Sequence, residues 1–323
     1  MEHLLEVKDL EVSFDTDAGE VRAVKNAGFT IGKGEVFGIV GESGSGKSVA
    51  TKSILKLGPS NIRIKSGEIL YKGQDIRNLS DKELRLIRGR QISMIFQDSL
   101  SALNPVYTVG NKMTELIRRN ESLPKKEAMQ KVMELLKDVG IVDPERCFKS
   151  YPHELSGGMR QRIMIAMAIC CDPDLMIADE PTTALDVTIQ AQILHLLRNI
   201  QQKKKMSVIL ITHDLGVVAQ MCGRIAVMCG GFVVEEGTAK EIFHHPAHPY
   251  TRALIASMPK AGGGKFEQFL ERSIQDNRDK DLCPFYGRCK YAREVCEKEL
   301  PVMHIVEGGH RALCHLGEEA FDV

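Results

Sequence analysis

Tryptophan is absent from the 323-residue sequence, aromatic residues make up only 5%, and neither sign of charge is in excess, since Lys+Arg and Asp+Glu both number 43. This balance gives no electrostatic footprint for nucleic acid and argues against a polybasic membrane-binding patch. Long hydrophobic runs are also missing, because no apolar stretch approaches the roughly 18 residues of a membrane span. The first residues, MEHLLEVKDLEVSF, lack the basic and apolar regions of a signal peptide. We therefore expect an intracellular protein that reaches a membrane only through partner proteins.

Cysteine, in contrast, is frequent, with nine residues that are unevenly placed. Five are scattered through apolar or helical segments and are interpreted as small core residues: Cys147, Cys170, Cys171, Cys222 and Cys229. Four crowd into the C-terminal part of the chain: Cys283, Cys289, Cys296 and Cys314. In a reducing compartment such a cluster predicts a metal site rather than disulfides. The spacing C-x5-C-x6-C-x17-C is looser than the C-x2-C pairs of a zinc ribbon, so iron–sulfur ligation, zinc and unligated thiols all stay open.

The strongest motif is GESGSGKS at residues 41 to 48, which fits G-x-x-x-x-G-K-[ST]. An apolar run at 36 to 40 predicts a buried strand before it, and residues 49 to 57 predict a helix after it. In that context the loop amides point inward and the helix start attracts anions. The loop residues predicted to hold a triphosphate are Gly41, Ser43, Gly44, Ser45, Gly46, Lys47 and Ser48, with Lys47 on the β- and γ-phosphates and Ser48 on Mg²⁺. The alternative is a Gly/Ser turn that only resembles a phosphate loop.

Polar side chains follow several predicted strands, where ligands bind in open α/β sheets. Gln97 ends the strand QISMIF, Asp179 and Glu180 end LMIA, and His213 ends SVILIT. Two carboxylates beside a phosphate loop match a metal-holding Asp and a Glu near the attacked phosphate. Ordinary strand-end or surface residues are the alternative for each. Phe14 precedes the loop and could stack on a purine, although a core role is more common for such an aromatic.

From about residue 99 to 171 the strand pattern stops, and the sequence predicts a helical insertion. Residues 125 to 139 form an amphipathic helical pattern, and LSGGMRQR at 155 to 162 opens another helix. Ser156 is a natural N-cap, and Gly157 and Gly158 leave amides uncovered, which predicts either an anion-binding helix start or an ordinary capped helix. The predicted fold class is α/β: a phosphate-loop NTPase (RecA-like) core sheet with an antiparallel β subdomain, a helical insertion and a small C-terminal metal-cluster extension.

Taken together, these motifs resemble the nucleotide-binding subunit of ABC transporters. The phosphate loop, Gln97, LSGGMRQ, LMIADE, ALD at 184 to 186 and His213 occur in the family's order, and LSGGMRQ is its signature motif. The tail, with HPYT at 248 to 251 and four late cysteines, is similar to the C-terminal extension of oligopeptide/dipeptide importer ATPases. The resemblance implies an ATP-binding domain at residues 1 to 237 and an extension at 238 to 323.

The resemblance also implies roles for individual residues. Phe14 would stack on adenine, Gln97 would contact Mg²⁺ and the attacking water, and Asp179 would hold the metal through water. Glu180 would act as general base, and His213 would bond the γ-phosphate. Ser156, Gly157 and Gly158 would bind the γ-phosphate of ATP held by a second ATPase subunit, with Asp186 at the interface between the two. The four late cysteines would carry a [4Fe–4S] cluster, with zinc as the alternative.

The implied function is ATP hydrolysis that drives uptake of oligopeptides or dipeptides, at the cytoplasmic face of the membrane. The implied partners are a sister ATPase subunit, two membrane-spanning permease subunits and an extracytoplasmic solute-binding protein. A nickel or metal-chelate importer is the first alternative, because an ATPase subunit does not touch the solute. A soluble ABC-type ATPase acting on ribosomes or DNA repair complexes, and a phosphate-loop kinase, fit less well. Residues 265 to 280 are polar and charged where many relatives are apolar and Pro/Gly-rich.

Overall fold

The structure is a computed structural model that describes residues 3–97, 103–183, 185–258 and 281–317. The chain divides into two compact units. The first comprises residues 1–32, 36–78 and 211–323, and the second comprises residues 33–35 and 79–210. The phosphate loop therefore belongs to the first unit, and the predicted helical insertion belongs to the second. The polar segment at 265 to 280 lies outside the described residues.

The first unit begins with an antiparallel sheet. Its strands are β1 (Leu5–Thr16), β2 (Gly19–Ile31), β4 (Ile62–Tyr71) and β5 (Gln74–Asp75), in the order β2-β1-β4-β5. β1 and β2 form a hairpin, in which Thr16 pairs with Gly19 across the turn. The alternation of apolar residues in β1 is imperfect because the register shifts between Val7 and Leu10, around the positive φ of Asp9. Such a bulge places two residues of one strand opposite one of its partner.

A second sheet in the first unit carries the phosphate loop. Its strands are β3 (Val36–Val40), β9 (Arg224–Cys229), β10 (Phe232–Thr238), β11 (Met303–Glu307) and β12 (His310–Leu313), in the order β11-β12-β10-β9-β3. β3 runs parallel to β9, and β9 is antiparallel to β10 across the Gly230–Gly231 turn. Both glycines have positive φ (53° and 92°), as a two-residue hairpin of this kind requires.

The C-terminal hairpin of β11 and β12 was not anticipated from the sequence. Instead of a separate extension, β12 adds to the edge of β10, with Glu235 opposite Ala312 and Glu236 opposite Arg311. A buried carboxylate anchors this junction. Glu235 accepts hydrogen bonds from the backbone N–H groups of Ala247 (2.7 Å) and His248 (2.9 Å), and its Oε1 lies 2.7 Å from Nε2 of His310. The buried carboxylate therefore has three partners, all of them in segments that follow β10.

The helices of the first unit are α1 (Lys47–Ile54), α8 (Leu215–Met221), α9 (Ala239–His244) and α10 (Pro249–Ala256). Each of the last three begins at a side-chain cap: Asp214, Thr238 and His248 accept hydrogen bonds from backbone N–H groups of the first turn. Such caps satisfy amides that would otherwise lack partners. The HPYT segment forms the N-cap and first turn of α10, and its Tyr250 is completely buried.

The second unit contains β6 (Ile92–Ile95), β7 (Leu175–Asp179) and β8 (Ser207–Ile211), in the order β8-β7-β6, with the last residue of β8 assigned to the first unit. β6 and β7 are parallel. All residues of β7 and β8 are buried, which explains their continuous apolar sequence.

The helices of the second unit are α2 (Asp81–Ile87), α3 (Val109–Glu121), α4 (Lys125–Asp138), α5 (Pro144–Lys149), α6 (Gly157–Ala168) and α7 (Val187–Lys204). From residue 103 to 171 the described chain contains no strand, as expected for the helical insertion. The stripe predicted for α4 is buried at Ala128, Val132, Leu135 and Leu136. None of the helices in the described ranges is long and apolar enough to cross a bilayer.

Candidate functional site

The phosphate loop adopts a conformation that only glycine permits at two positions. Gly41 has φ +150°, and a Cβ there would lie 2.1 Å from the carbonyl oxygen of Met228. Gly46 has φ +99°, and its Cβ would lie 2.5 Å from the carbonyl oxygen of Ala23. Gly46 is also the N-cap of α1, so the loop leads directly into a helix start. This confirms the predicted order of strand, glycine loop and helix.

Lys47 is buried and is held at the mouth of the loop. Its Nζ donates to the carbonyl oxygens of Gly41 (2.8 Å) and Glu42 (2.7 Å) and lies 3.4 Å from Oγ of Ser45. Ser45 is buried as well, whereas Ser43 and Gly44 are exposed at the tip. The ammonium therefore sits among loop oxygens, in the position from which it can reach a phosphate group.

Glu42 is a contact point that the sequence did not single out. Its N–H donates to the hydroxyl oxygen of Tyr250 (2.9 Å). Its two carboxylate oxygens accept from Nη1 and Nη2 of Arg288 at 2.9 and 3.0 Å. The guanidinium lies over the rings of Tyr250 and Phe285, with 5.9 and 5.2 Å between Cζ and the ring centroids. Both partners come from the C-terminal part of the first unit.

Two further predicted residues lie in the first unit. Phe14 is half-buried in β1, where it pairs with Val21 and Ile62. His213 is exposed and precedes the Asp214 cap of α8, just beyond β8. Neither side chain is fully buried, which is compatible with a ligand contact and does not by itself assign one.

In the second unit, two predicted catalytic side chains are brought together. Oε2 of Glu180 accepts hydrogen bonds from Nε2 of Gln97 (2.9 Å) and from Oγ1 of Thr183 (2.8 Å). Glu180 also has φ +48°, a left-handed conformation that is uncommon for a non-glycine residue and tends to occur at functional sites. Asp179 before it is fully buried at the end of β7. The carboxylate of Glu180 is therefore fixed by two donors and a constrained backbone.

The start of α6 is capped as expected. Oγ of Ser156 accepts from the N–H of Met159 at 3.3 Å. A Cβ on Gly158 would lie 3.0 Å from Cγ2 of Ile189 in the first turn of α7, so glycine allows close packing there. Asp186 in turn caps α7, accepting from the N–H of Ile189 at 3.0 Å. Ser156 and Asp186 thus have structural roles that are compatible with the predicted ones.

The four late cysteines line one narrow pocket, together with Phe285, Tyr291, Arg293 and other residues. Burial, opposed only partly by a backbone hydrogen bond, raises the pKa of the Cys283 thiol to about 12 and that of Cys289 to about 11. Within the described ranges, however, no three Cys, His, Asp or Glu side chains are arranged to hold a metal ion. The structure therefore gathers the four thiols without confirming the predicted metal-cluster extension.

The comparisons with known proteins agree with the motifs. Residues 24–183 match the family model described as ABC transporter, and residues 234–296 match "Oligopeptide/dipeptide transporter, C-terminal region". The chain is 50% identical to the dipeptide transport ATP-binding protein DppD of Bacillus subtilis, over 99% of this chain and 96% of that protein. It is 45% identical to DppD of Escherichia coli, over 97% and 96% of the two chains. A dimeric post-hydrolysis structure of the ATP-binding cassette MJ0796 bound to ADP and Pi is 29% identical, with a TM-score of 0.65, over 73% of this chain and 98% of that one.

Proposed function

The chain belongs to the ABC transporter family of ATP-hydrolysing, ATP-binding subunits, and we propose that it energises the import of dipeptides or oligopeptides across the cytoplasmic membrane. The observation that carries this proposal is the 50% identity, over nearly the whole of both chains, to a protein named for dipeptide transport. The match of residues 234–296 to the C-terminal region of oligopeptide/dipeptide transporters supports the same solute class.

At the phosphate loop, we assign ATP binding to Lys47, Ser48 and the amides from Gly41 to Gly46. Lys47 is already directed by loop oxygens, so a triphosphate would take over contacts of an ammonium that is fixed in place. Ser48 and Gln97 would hold Mg²⁺, which supplies charge neutralisation to the transferred phosphoryl group. Phe14 would stack on the adenine.

For hydrolysis, Glu180 is the proposed general base. Its carboxylate is oriented by Gln97 and Thr183, which fixes the acceptor before water arrives. Asp179 would hold the metal through water, and His213 would bond the γ-phosphate. In this structure the side-chain amide of Gln97 donates a hydrogen bond to Glu180. During turnover Gln97 would have to share that hydrogen bond with the attacking water, or give it up in favour of the water.

We further propose that ATP is bound between two such subunits. The capped start of α6, with Ser156, Gly157 and Gly158, leaves amides that can bind the γ-phosphate held by the partner subunit. Asp186 would lie at that interface. The similar cassette of known structure is dimeric with ADP and Pi, which supports this arrangement. Loss of the γ-phosphate would then remove a bridge between the subunits and let the pair reopen.

The second subunit is proposed to be a sister ATPase, and the pair would bind two permease subunits and act with an extracytoplasmic solute-binding protein. The proposed location is the cytoplasmic face of the membrane, with the ATP-binding domain at residues 1 to 237 and the extension at 238 to 323. The names of the relatives, which describe transport ATP-binding proteins, support such partners.

For the four late cysteines we propose a structural [4Fe–4S] cluster. All four thiols line one pocket, which supports a common occupant. Within the described ranges no three Cys, His, Asp or Glu side chains are arranged to hold a metal ion, so the proposal depends on the shared pocket and on the cysteine spacing. Anaerobic purification tests this: an absorbance band near 400 nm supports the cluster, whereas a colourless protein with stoichiometric zinc contradicts it.

The ATPase assignment is tested by Glu180→Gln. Removal of a general base lowers turnover by about 10²- to 10⁴-fold, while ATP binding should be retained. Phosphate release and retention of labelled ATP measure the two effects separately. Glu134→Gln, on the exposed side of α4, is the matched control and should hydrolyse ATP normally. Normal hydrolysis by Glu180→Gln would contradict the assignment.

The solute class is tested by uptake in a strain that lacks the gene for this chain. Restoration of labelled dipeptide or oligopeptide uptake by the wild-type chain, and not by Glu180→Gln, is the expected result. Restoration of nickel or metal-chelate uptake alone would favour the alternative solute.

A further inference from the structure

Glu42 of the phosphate loop, in the first unit, contacts both α10 and the C-terminal segment, which comprises residues 281–317. Three groups of Glu42 have separate partners: the N–H binds Tyr250, the carboxylate binds Arg288, and the carbonyl oxygen accepts from Lys47. The partners Tyr250 and Arg288 are 208 and 246 residues distant in sequence. Because all three contacts meet at one loop residue, the position of Lys47 is linked to that of Arg288.

The ion pair is of the strong kind. It is bidentate, with 2.9 and 3.0 Å between nitrogen and oxygen, and the Arg288 side chain is only 6% exposed. Two aromatic rings, of Tyr250 and Phe285, cover the guanidinium. Such a pre-organised planar contact restricts both partners more than an exposed ion pair does. Burial, the largest influence, lowers the pKa of Arg288, but the hydrogen bonds and charge of Glu42 raise it above the ordinary value.

The segment that carries Arg288 is itself packed against the base of the loop. Arg288 ends a short 3-10 turn, Tyr286–Arg288, that lies between Cys283 and Cys289 of the cysteine pocket. A Cβ on Gly230 would lie 2.7 Å from Cβ of Pro284 in the same segment. The neighbouring Gly231 donates its N–H to the carbonyl oxygen of Ser45 at 3.0 Å. The segment therefore reaches the loop at Glu42 directly and at Ser45 through the β9–β10 turn.

Charge gives this contact a consequence for ATP. Glu42 places a carboxylate within a loop that must accept a triphosphate, and two negative charges close to each other repel. Arg288 neutralises that carboxylate and holds it on the side of the cysteine segment. Loss of Arg288 would leave the carboxylate uncompensated beside the triphosphate site and would free the loop residue that positions Lys47.

We propose that Arg288 and Tyr250 are positioning residues for ATP binding, which act through Glu42, so that the state of the C-terminal cysteine segment sets the affinity of the phosphate loop. The proposal rests on the ATP-binding role given above. It adds to the extension a function in nucleotide binding, besides any contribution to folding.

The test is a set of variants of the full chain, titrated with MgATP by calorimetry at low and high salt. Arg288→Gln should weaken ATP binding about tenfold, since a charge-assisted pair is lost and a negative charge is exposed. The double variant Glu42→Gln/Arg288→Gln should bind ATP more tightly than Arg288→Gln, because the uncompensated carboxylate is gone. Added salt should reduce the difference in ATP affinity between the single and the double variant, since salt screens charge.

Arg311→Gln is the matched control. Arg311 also joins the C-terminal segment to a carboxylate of the sheet, Glu236, but does not contact the loop. The Arg311→Gln variant should have a lower melting midpoint than wild type and an ATP affinity within about twofold of wild type. Tyr250→Phe, which removes a single hydroxyl, should weaken ATP binding about threefold and keep the fold, since one neutral hydrogen bond makes only a modest net contribution.

The outcomes separate cleanly. A double variant that binds no better than Arg288→Gln, or an Arg311→Gln variant that is equally impaired, would show that only general docking matters and would overturn the proposal. So would unchanged ATP affinity in both Arg288→Gln and Tyr250→Phe. If the wild-type chain itself fails to bind ATP, it is the ATP-binding role that fails.

Discussion

At the scale of single residues, Ser156 can be interpreted in two ways that experiment separates. Its hydroxyl caps α6, and the same helix start is the proposed contact for the partner's ATP. Loss of a serine cap costs about 1 kcal/mol of stability. Ser156→Ala should therefore lower the melting midpoint, and it should also reduce ATP hydrolysis at least about tenfold if the nucleotide contact is real.

Asp143→Ala supplies the comparison for this prediction. Asp143 caps α5 in the same helical region, accepting from the N–H of Arg146 at 3.0 Å. It should cost a similar amount of stability with no effect on hydrolysis per folded molecule. Equal activities in the two variants would leave Ser156 with a capping role alone.

The positions of candidate site residues could be predicted where a short sequence motif specifies them. The loop glycines, Lys47 and the strand-end pair Gln97 and Glu180 follow from short patterns and from the rule that ligands bind at strand ends. The contact between Glu42 and Arg288 was not predictable, because it joins residues 246 positions apart and neither belongs to a motif with a stated partner. A charged residue inside a phosphate loop was the one available signal.

At the scale of elements, the HPYT segment and the C-terminal hairpin share the buried carboxylate of Glu235. His248 is fully buried beside it, and burial lowers the pKa of His248 to about 4 from an ordinary value of 6.5, although the charge of Glu235 opposes the shift. The unfolded chain therefore binds more protons between these two pH values. It follows that the free energy of unfolding should fall as pH drops from about 6.5 toward 4, by up to about 3 kcal/mol from this group.

The measurement is chemical unfolding at several pH values under reducing conditions. His248→Asn is the comparison, because an Asn oxygen can replace Nδ1 as acceptor for the N–H of Tyr250 and does not titrate. Other titratable groups, including Glu235 and the nearby His310, are common to both chains. The variant should therefore show a shallower loss of stability over this interval, and parallel curves would contradict the assignment of the pH dependence to His248.

Element boundaries show where sequence patterns are informative and where they are not. The helix after the loop was expected from residue 49 and begins at Lys47, because Gly46 itself serves as N-cap. The hairpin of β11 and β12 was missed, although Gly308 and Gly309 mark its turn. Its strands are short, and β12 is stabilised by pairing with β10, which lies about seventy residues earlier in the chain.

At the scale of the whole molecule, the C-terminal strands complete the first unit rather than form a unit of their own. A chain that ends at residue 258 would expose the edge of β10 and leave Glu235 without His310. Open sheet edges promote association between chains, and a buried carboxylate that loses a partner is destabilising. We therefore expect a lower melting midpoint and increased light scattering on warming.

A chain that ends at residue 317 is the control for the truncation, since it keeps both strands of the hairpin. It should melt like the full-length protein. If the chain ending at 258 were as stable and as monodisperse as the control, the hairpin would contribute nothing to the integrity of this unit.

The left-handed backbone of Glu180 has a consequence for protein engineering. Glycine adopts φ +48° without penalty, whereas other residues held there lose on the order of 1 kcal/mol. A screen for thermal tolerance would consequently tend to enrich glycine at this position, and the enriched clones would be the ones that had given up turnover. Stabilised variants of this chain should for that reason be selected with an activity assay in place. Selection for thermal tolerance alone would favour variants that have lost the carboxylate of Glu180.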